Sequence, residues 1–251
     1  MRRPSVAIIG LGLVGGSLAR ALTRKGYRVT GIDWPLVVRQ ALRSHAISRG
    51  ATRAEAAARS DVVVLAAPPA TNLRLLRRLA KVAPPALVLT DVSSVKRAIV
   101  GEAARLGLRG FVGGHPMAGT EKQGFSASKA ELFEGATWWL VPGRSRRANA
   151  VVRALVRDAG ARVVLTDAAR HDRVMAFLSH APQVVAWALL DAARADPVAR
   201  RQLRHAGPGF RGMTRLARSP RALWHDILGA NRVEVTRALA ALRRALERRR
   251  P

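Results

Sequence analysis

Two short polar segments contain the side chains best suited to chemistry. They are Asp91-Val92-Ser93-Ser94-Val95-Lys96 and Gly114-His115-Pro116. Histidine exchanges protons near neutral pH, so His115 is a candidate base for the hydroxyl of an alcohol whose carbon loses a hydride. A hydroxyl such as that of Ser94 could orient this imidazole or hold a nicotinamide ring. For an isolated histidine a capping or core role is the simpler interpretation, so the surrounding elements must decide.

The first two thirds of the sequence alternate apolar strands with helices. Strands are predicted at residues 5–10, 27–33, 61–67, 86–91, 109–113, 137–141 and 161–165, with helices ending near 25, 81, 106 and 159. Continuous apolar strands between helices indicate a parallel sheet covered on both faces. The carboxyl ends of such strands border the ligand crevice, and both polar segments follow strand ends.

After residue 166 the strand pattern disappears. Apolar residues three and four apart trace two helical stripes, which are Met175, Leu178, Pro182, Val185, Leu189 and Val235, Leu239, Leu242, Leu246. Pro182 lies inside the first of these helices and is expected to kink it. We therefore predict an α/β Rossmann-type dinucleotide-binding domain over residues 1–166 and an all-α helical domain, for substrate and dimerisation, over 167–251.

A glycine-rich turn after the first strand predicts the dinucleotide site. The segment from Gly10 to Gly16 fits G-x-G-x-x-G, in which the glycines permit a tight turn, close approach of a pyrophosphate and close helix packing. Asp33 follows about 20 residues later, where a carboxylate accepts from ribose hydroxyls. The predicted cofactor-binding residues are Gly10, Gly12, Leu13, Val14, Gly15, Asp33 and Ser94. A carboxylate at this position repels a 2′-phosphate and favours NAD, with NADP as the alternative because Arg39 and Arg43 lie nearby in sequence.

The composition limits the other classes of function. The 44 Lys and Arg against 16 Asp and Glu give a net charge of +28, which by itself suggests a nucleic-acid partner. The arginines are scattered from Arg2 to Arg250 without interleaved aromatic residues, so we expect steering of an acidic substrate and no nucleic-acid partner. No cysteine is present, and we expect no metal site. No apolar run reaches bilayer length and no signal peptide is evident, so we expect a cytoplasmic protein without a membrane partner.

Three segments together resemble the prephenate/arogenate (cyclohexadienyl) dehydrogenase family of tyrosine biosynthesis. They run from Gly10 to Ala19, from Asp91 to Lys96 and from Gly114 to Gly124. Further matching segments follow in the family's order at 132–136, 171–180, 209–215 and 224–231. The resemblance covers residues 6 to about 235, and its specific part is His-Pro-Met-Ala-Gly together with the later His and Arg.

The resemblance implies an NAD-dependent oxidative decarboxylation of prephenate to 4-hydroxyphenylpyruvate and CO2. In that reaction His115 takes the proton of the C4 hydroxyl, and Ser94 links it to the nicotinamide. Arg215 binds a substrate carboxylate, a role suited to a planar bidentate donor. The other residues implied to bind substrate are His180, Trp224 and Glu121. The helical domain is implied to form a homodimer.

The sequence departs from the family pattern at one position and leaves the exact substrate open. Gly212 stands where family members often carry Asp, three residues before Arg215, so an ion pair built from that Asp is absent. An acid near the substrate's amino group would favour arogenate, and Glu121 is the only candidate. We favour prephenate, with arogenate or dual specificity as the alternative.

Two other functions compete with this hypothesis. A 3-hydroxyacid dehydrogenase has the same plan of sheet and helices but usually relies on a lysine on a later helix, and no lysine follows Lys129. A basic nucleic-acid-binding protein on a retired dehydrogenase scaffold would bind DNA with strong salt dependence and would not reduce NAD.

Overall fold

The structure, a computed structural model, describes residues 3–120 and 122–249. Glu121, which the resemblance places near the substrate, lies outside the described residues. The chain divides into two compact units, Met1–His171 and Asp172–Pro251. The first is an α/β unit and the second is helical, which confirms the predicted fold class.

Eight strands form one sheet in the first unit, in the order β3-β2-β1-β4-β5-β6-β7-β8. Their bounds are β1 Val6–Ile9, β2 Val29–Ile32, β3 Arg49–Ala51, β4 Val62–Leu65, β5 Val88–Asp91, β6 Phe111–Pro116, β7 Thr137–Val141 and β8 Arg162–Leu165. Strands β1 to β6 run parallel. Their carboxyl ends therefore lie along one edge of the sheet, the edge at which α/β proteins bind ligands.

Five helices cover the sheet on both faces. They are α1 Leu13–Arg24, α2 Pro35–Arg43, α3 Pro69–Leu79, α4 Arg97–Arg105 and α5 Arg146–Asp158. One buried core includes Ile8 of β1 with Leu18 of α1 and Leu155 of α5. The other includes Leu76 of α3 with Ile99 of α4. Buried apolar residues on both faces explain why the strands read as uninterrupted hydrophobic runs.

The prediction that every strand is parallel is wrong for β7. This strand pairs antiparallel with β6, with His115 opposite Trp139, and β8 then pairs parallel with β7. Among the described residues of 117–136 only two short 3-10 turns occur, Phe125–Ala127 and Ala130–Phe133. Without a crossover helix the chain re-enters the sheet from the same edge, and that connection produces an antiparallel neighbour.

Helices account for the regular structure of the second unit. Helix α6, Ala168–Met175, leads through a π-helical turn, Ala176–His180, into α7, Ala181–Ala195. The others are α8 Pro197–Gln202, α9 Pro208–Thr214, α10 Arg221–Ala230 and α11 Arg232–Glu247. The π turn ends at His180, two residues before Pro182, where the sequence predicts a kink. Such a turn is a common response to a proline that cannot donate its backbone hydrogen bond.

The buried face of helix 168–195 is unusually polar. His171, Asp172, His180 and Gln183 have no exposed surface, whereas Leu178 of the predicted apolar stripe is 69% exposed. By length and mean hydropathy, 1.2, this helix could cross a membrane. Four buried polar side chains instead indicate a helix that packs within protein, because burying such groups requires hydrogen-bond partners.

Candidate active site

In the glycine-rich turn after β1, the middle glycine has space for a side chain and the two outer glycines do not. Gly10 has φ of +97°, and a Cβ there would lie 2.7 Å from the carbonyl oxygen of Ala66. A Cβ on Gly15 would lie 1.9 Å from the carbonyl oxygen of Gly10. At Gly12 a Cβ would meet nothing within 4 Å. The outer glycines are therefore required by the protein itself, while Gly12 leaves free space for another molecule.

This free space lies at the amino end of α1, which begins at Leu13 after Gly12 as the N-cap. The first N–H groups of a helix have no acceptor inside it, and Gly12 has no side chain to cap them. The backbone N–H groups of Leu13, Val14 and Gly15 therefore remain donors at the positive end of the helix dipole. Such a cradle fits a pyrophosphate.

Asp33 lies directly after β2 and is held against the same turn. Its Oδ2 accepts a hydrogen bond from Leu11 N at 2.6 Å, and its Oδ1 accepts one from Trp34 N at 2.7 Å. Each carboxylate oxygen can accept more than one hydrogen bond, so these contacts orient the group without exhausting it. The side chain remains partly exposed. This placement matches that of an acid able to bind a ribose diol.

A buried ion pair lies at the carboxyl end of β5. Lys96 Nζ donates to Asp91 Oδ2 at 2.5 Å and to the carbonyl oxygen of Gly114 at 2.6 Å. Asp91 Oδ1 accepts from Gly114 N at 3.0 Å, and its Oδ2 accepts from Ser93 N at 2.9 Å. Neither charged side chain has exposed surface. The pair therefore fixes the backbone of β6 one residue before His115.

A second network holds the loop between β5 and α4. Asn72 of α3 is buried, and its Nδ2 donates to Ser93 Oγ at 2.9 Å. Its Oδ1 accepts from Ala67 N at 3.2 Å. Ser94 is partly exposed, and its hydroxyl makes no hydrogen bond with a described residue. The loop is thus fixed at Ser93, while the hydroxyl of Ser94 remains able to bind a ligand.

His115 is the fifth residue of β6 and is 7% exposed. Its Nδ1 lies 2.9 Å from Nε2 of His171, a fully buried residue of α6. The two rings meet edge to face, with centroids 5.1 Å apart. Trp139 of β7 packs edge to face against His171. His171 is therefore the partner of Nδ1 of His115.

In the second unit His180 and Trp224 form one aromatic cluster. Their ring centroids are 6.1 Å apart, and Trp187 lies 6.3 Å from Trp224. His180 is fully buried, with its Nδ1 3.1 Å from Nδ2 of Asn231. The same amide donates to the carbonyl oxygen of Asp172 at 2.7 Å. Trp224 and Trp187 are both partly exposed, so a ligand can reach either of them, whereas His180 is fully buried.

Arg215 begins a 3-10 turn, Arg215–Arg218, after α9. Its side chain is exposed and makes no ion pair with a described residue. Buried Gln183 of α7 anchors this turn, because its Nε2 donates to the carbonyl oxygen of Leu216 at 2.8 Å. A Cβ added at Gly212 would meet nothing within 4 Å. The backbone of the turn that carries Arg215 is therefore anchored, and the exposed guanidinium is available to an anion.

Four positioning side chains have no role in the sequence-based prediction: Lys96, His171, Gln183 and Asn231. His171 and Asn231 lie in segments that match the family, and Lys96 lies in the first polar segment, so their placement was a usable signal. For Gln183 the sequence offers no signal, since a polar residue in an apolar helix is usually exposed.

Comparison with known proteins gives two family matches. Residues 18–165 match the family described as prephenate dehydrogenase, nucleotide-binding domain, and residues 167–250 match prephenate dehydrogenase, dimerization domain. The prephenate dehydrogenase of Bacillus subtilis is 34% identical over 93% of this chain and 66% of its own length. The cyclohexadienyl dehydrogenase of Zymomonas mobilis is 33% identical over 90% of this chain and 80% of its own length.

A solved structure shows the same likeness. The prephenate dehydrogenase of Aquifex aeolicus, in complex with hydroxyphenyl propionate and NAD+, superposes with a TM-score of 0.92 at 31% identity. The match covers 99% of this chain and 90% of that one. The chain spans slightly less than two thirds of the length of the Bacillus subtilis relative.

Proposed function

The chain belongs to the prephenate dehydrogenase family, and from that premise we propose that it catalyses the NAD-dependent oxidative decarboxylation of prephenate. The observation that carries the proposal is the buried imidazole of His115 on the sheet edge that also holds the glycine-rich turn. A base and a dinucleotide cradle on one edge are what hydride removal from an alcohol requires.

The cofactor site fits NAD. The N–H groups of Leu13, Val14 and Gly15 would hold the pyrophosphate, Gly12 would let it approach the backbone, and Gly10 would permit the tight turn. Asp33 would accept from the ribose hydroxyls, and its charge would disfavour the 2′-phosphate of NADP. Bound NAD would accept the hydride from C4 of the substrate. Ser94, whose hydroxyl makes no hydrogen bond with a described residue, would contact the nicotinamide ring.

The proton and the carboxylate follow separate paths. His115 takes the proton of the C4 hydroxyl as hydride leaves C4, so that the C4–O bond becomes a carbonyl. The bond from C1 to the ring carboxylate then breaks, CO2 departs, and its electron pair makes the ring aromatic with an oxyanion at C4. The proton on His115 can return to that oxygen. Aromatisation makes the reaction effectively irreversible, so the protein has mainly to orient ring and base.

The second unit would supply the substrate contacts. Arg215 would bind a carboxylate of prephenate through its planar guanidinium. Trp224, which is partly exposed, would contact the ring, and the buried His180, which packs edge to face against Trp224, would support it. The role of Glu121 stays a prediction from the resemblance, and with it the choice between a keto and an amino side chain.

We also propose a homodimer formed through the second unit. The family match over residues 167–250 is described as a dimerization domain. Several large apolar side chains of that unit are exposed: Phe177, Leu178, Val198, Met213, Leu223, Val233 and Leu246. Exposed apolar side chains that form one contiguous patch usually mark an interface, and we expect a second copy of the chain to cover these. Light scattering on the purified protein should give twice the chain mass, and Leu178→Glu should lower it.

Steady-state kinetics with purified protein test the proposed reaction. Prephenate with NAD should yield NADH and 4-hydroxyphenylpyruvate in equal amounts, with arogenate and NADP as less efficient alternatives. The variant His115→Asn should lose about 10²–10⁴ in kcat, since a general base contributes on that order. Binding of NAD, followed by protein fluorescence, should be unchanged. Turnover near that of the wild type would remove His115 from the mechanism.

A further inference from the structure

His115 and His171 form a buried pair joined nitrogen to nitrogen. The distance from His115 Nδ1 to His171 Nε2 is 2.9 Å, a hydrogen-bond length. The two residues are 56 positions apart in the sequence, on β6 and α6. His115 is 7% exposed and His171 is fully buried. Only one of these two nitrogens can carry the shared proton when both rings are neutral.

The position of that proton decides what His115 can do. If His115 Nδ1 carries it, Nε2 of His115 carries no proton and can accept one. If His171 Nε2 carries it, Nε2 of His115 is itself an N–H group and cannot act as a base. A histidine base therefore needs an acceptor at its Nδ1, as the carboxylate of a catalytic triad illustrates.

Packing limits the freedom of His171 to leave this position. Trp139, which lies opposite His115 on β7, meets the His171 ring edge to face with centroids 6.3 Å apart. On the other side of His115 in sequence, the buried pair of Asp91 and Lys96 holds the backbone of Gly114. Both imidazoles are thus restrained by neighbours that are themselves buried or within the sheet.

We propose that His171 is the positioning residue for the base. It accepts the Nδ1 proton of His115, fixes the tautomer in which Nε2 is basic, and stabilises the cation formed when His115 takes the substrate proton. This assignment rests on the proposed function, because it gives His171 a role in the same proton transfer. The proton balance is unchanged: the hydroxyl proton goes to Nε2, and the Nδ1 proton stays in the bond between the rings.

Nitrogen NMR of the six histidines tests the tautomer without substrate or turnover. At alkaline pH, where histidine side chains are neutral, the wild-type spectrum should show His115 with its proton on Nδ1. The variant His115→Asn assigns the signal. In His171→Leu the signal should change to the Nε2–H form. A wild-type His115 protonated on Nε2 would overturn the proposal.

Two matched variants then test the effect on catalysis. His171→Leu keeps the bulk but removes the acceptor, and kcat should fall on the order of 10² while KM for NAD is unchanged. In His171→Gln the amide oxygen reaches the place of Nε2, so kcat should recover to within about tenfold of the wild type, the worth of one hydrogen bond. Thermal unfolding confirms that both variants are folded.

The outcomes separate this inference from the proposed function. Wild-type protein that fails to oxidise prephenate would contradict the function, yet the NMR measurement would still decide the tautomer. If the wild type is active and His171→Leu is equally active, His171 does not position the base. If His171→Gln lowers kcat as much as His171→Leu does, His171 does not act as a hydrogen-bond acceptor.

Discussion

Lys96 and Asp91 form an ion pair without exposed surface, and both partners bind the backbone of Gly114. The backbone register between β5 and β6 ends at Thr90 and Val112. Beyond that point the ion pair takes over the connection between the strands. The residue that follows Gly114 is His115, so the proposed base is positioned by this ion pair and not by the sheet alone.

Breaking this clamp should cost much of the stability of the protein. Lys96→Met leaves the Asp91 carboxylate buried and uncompensated, and the free energy of unfolding should fall by about 3–5 kcal/mol. Urea unfolding of the wild type and of the variant measures the change. In the double variant Asp91→Asn, Lys96→Met neither position of the pair is charged, so part of the lost free energy of unfolding should be recovered. Equal stability of the single variant and the wild type would show that the pair is not needed.

The sequence predicted the dinucleotide turn and the family because both depend on local signals. The glycines from Gly10 to Gly15 follow one buried strand and begin one helix, and a single segment contains the whole pattern. The contact between His115 and His171 joins positions 56 apart, so no local pattern can reveal it. Likewise, β3 has no apolar run, and it forms because its backbone pairs with β2.

The direction of β7, and which face of helix 168–195 is buried, depend on the neighbouring elements rather than on composition. Residues 117–136 decide whether the chain crosses the sheet, and nothing in their composition specifies the path. In helix 168–195 Leu178 of the predicted apolar stripe is exposed, whereas His180 and Gln183 are buried. An apolar stripe indicates burial against some surface, and in a dimerization domain that surface can be a second chain.

Gly12 offers a way to separate cofactor binding from folding. A Cβ there meets no protein atom within 4 Å, so Gly12→Val should keep the melting temperature of the wild type. The side chain would occupy the space that the pyrophosphate needs, and the Kd for NAD should rise at least about tenfold, or 1.4 kcal/mol. Fluorescence titration measures it. Gly101→Ala in α4, also with open space, is the control that should bind NAD normally.

The opposite result is expected at Gly15. An alanine Cβ would lie 1.9 Å from the carbonyl oxygen of Gly10, so Gly15→Ala should destabilise the first unit. If Gly12→Val bound NAD as tightly as the wild type, the pyrophosphate would have to lie elsewhere.

Glu102 should make the protein sensitive to acid. The hydrogen bonds from Arg105 and then Arg77 lower the pKa of Glu102 to about 2, from 4.5. A carboxylate with a lowered pKa in the folded state contributes stability above its unfolded pKa, and the contribution is lost as the pH falls. In Glu102→Gln the urea midpoint should therefore decline less between pH 4.5 and 2 than in the wild type.

The control for this effect is Glu247→Gln in α11. The side chain of Glu247 is 49% exposed, and its carboxylate lies 3.6 Å from Arg243. In Glu247→Gln the urea midpoint should therefore decline with falling pH almost as it does in the wild type. If the urea midpoint of Glu102→Gln falls with pH as steeply as that of the wild type, the contacts between α3 and α4 do not govern stability in acid.

Gly212 is the position at which this chain departs from the family pattern, and restoring the acid should weaken substrate binding. A Cβ at Gly212 meets nothing within 4 Å, so Gly212→Asp should fold normally. Three residues later the exposed Arg215 has no ion-pair partner among the described residues. The new carboxylate would pair with it and compete with the substrate carboxylate, at a cost of about 0.3–0.5 kcal/mol, or roughly twofold in KM.

Gly212→Asn separates charge from shape in this experiment. The amide has nearly the same size as the carboxylate but no charge, so KM should stay near that of the wild type, and kcat should be the same in all three proteins. Because exposed charges are screened by salt, the increase in KM for Gly212→Asp should shrink as ionic strength rises. Equal KM values for the Asp and Asn variants would mean that Arg215 is not the group that holds the substrate carboxylate.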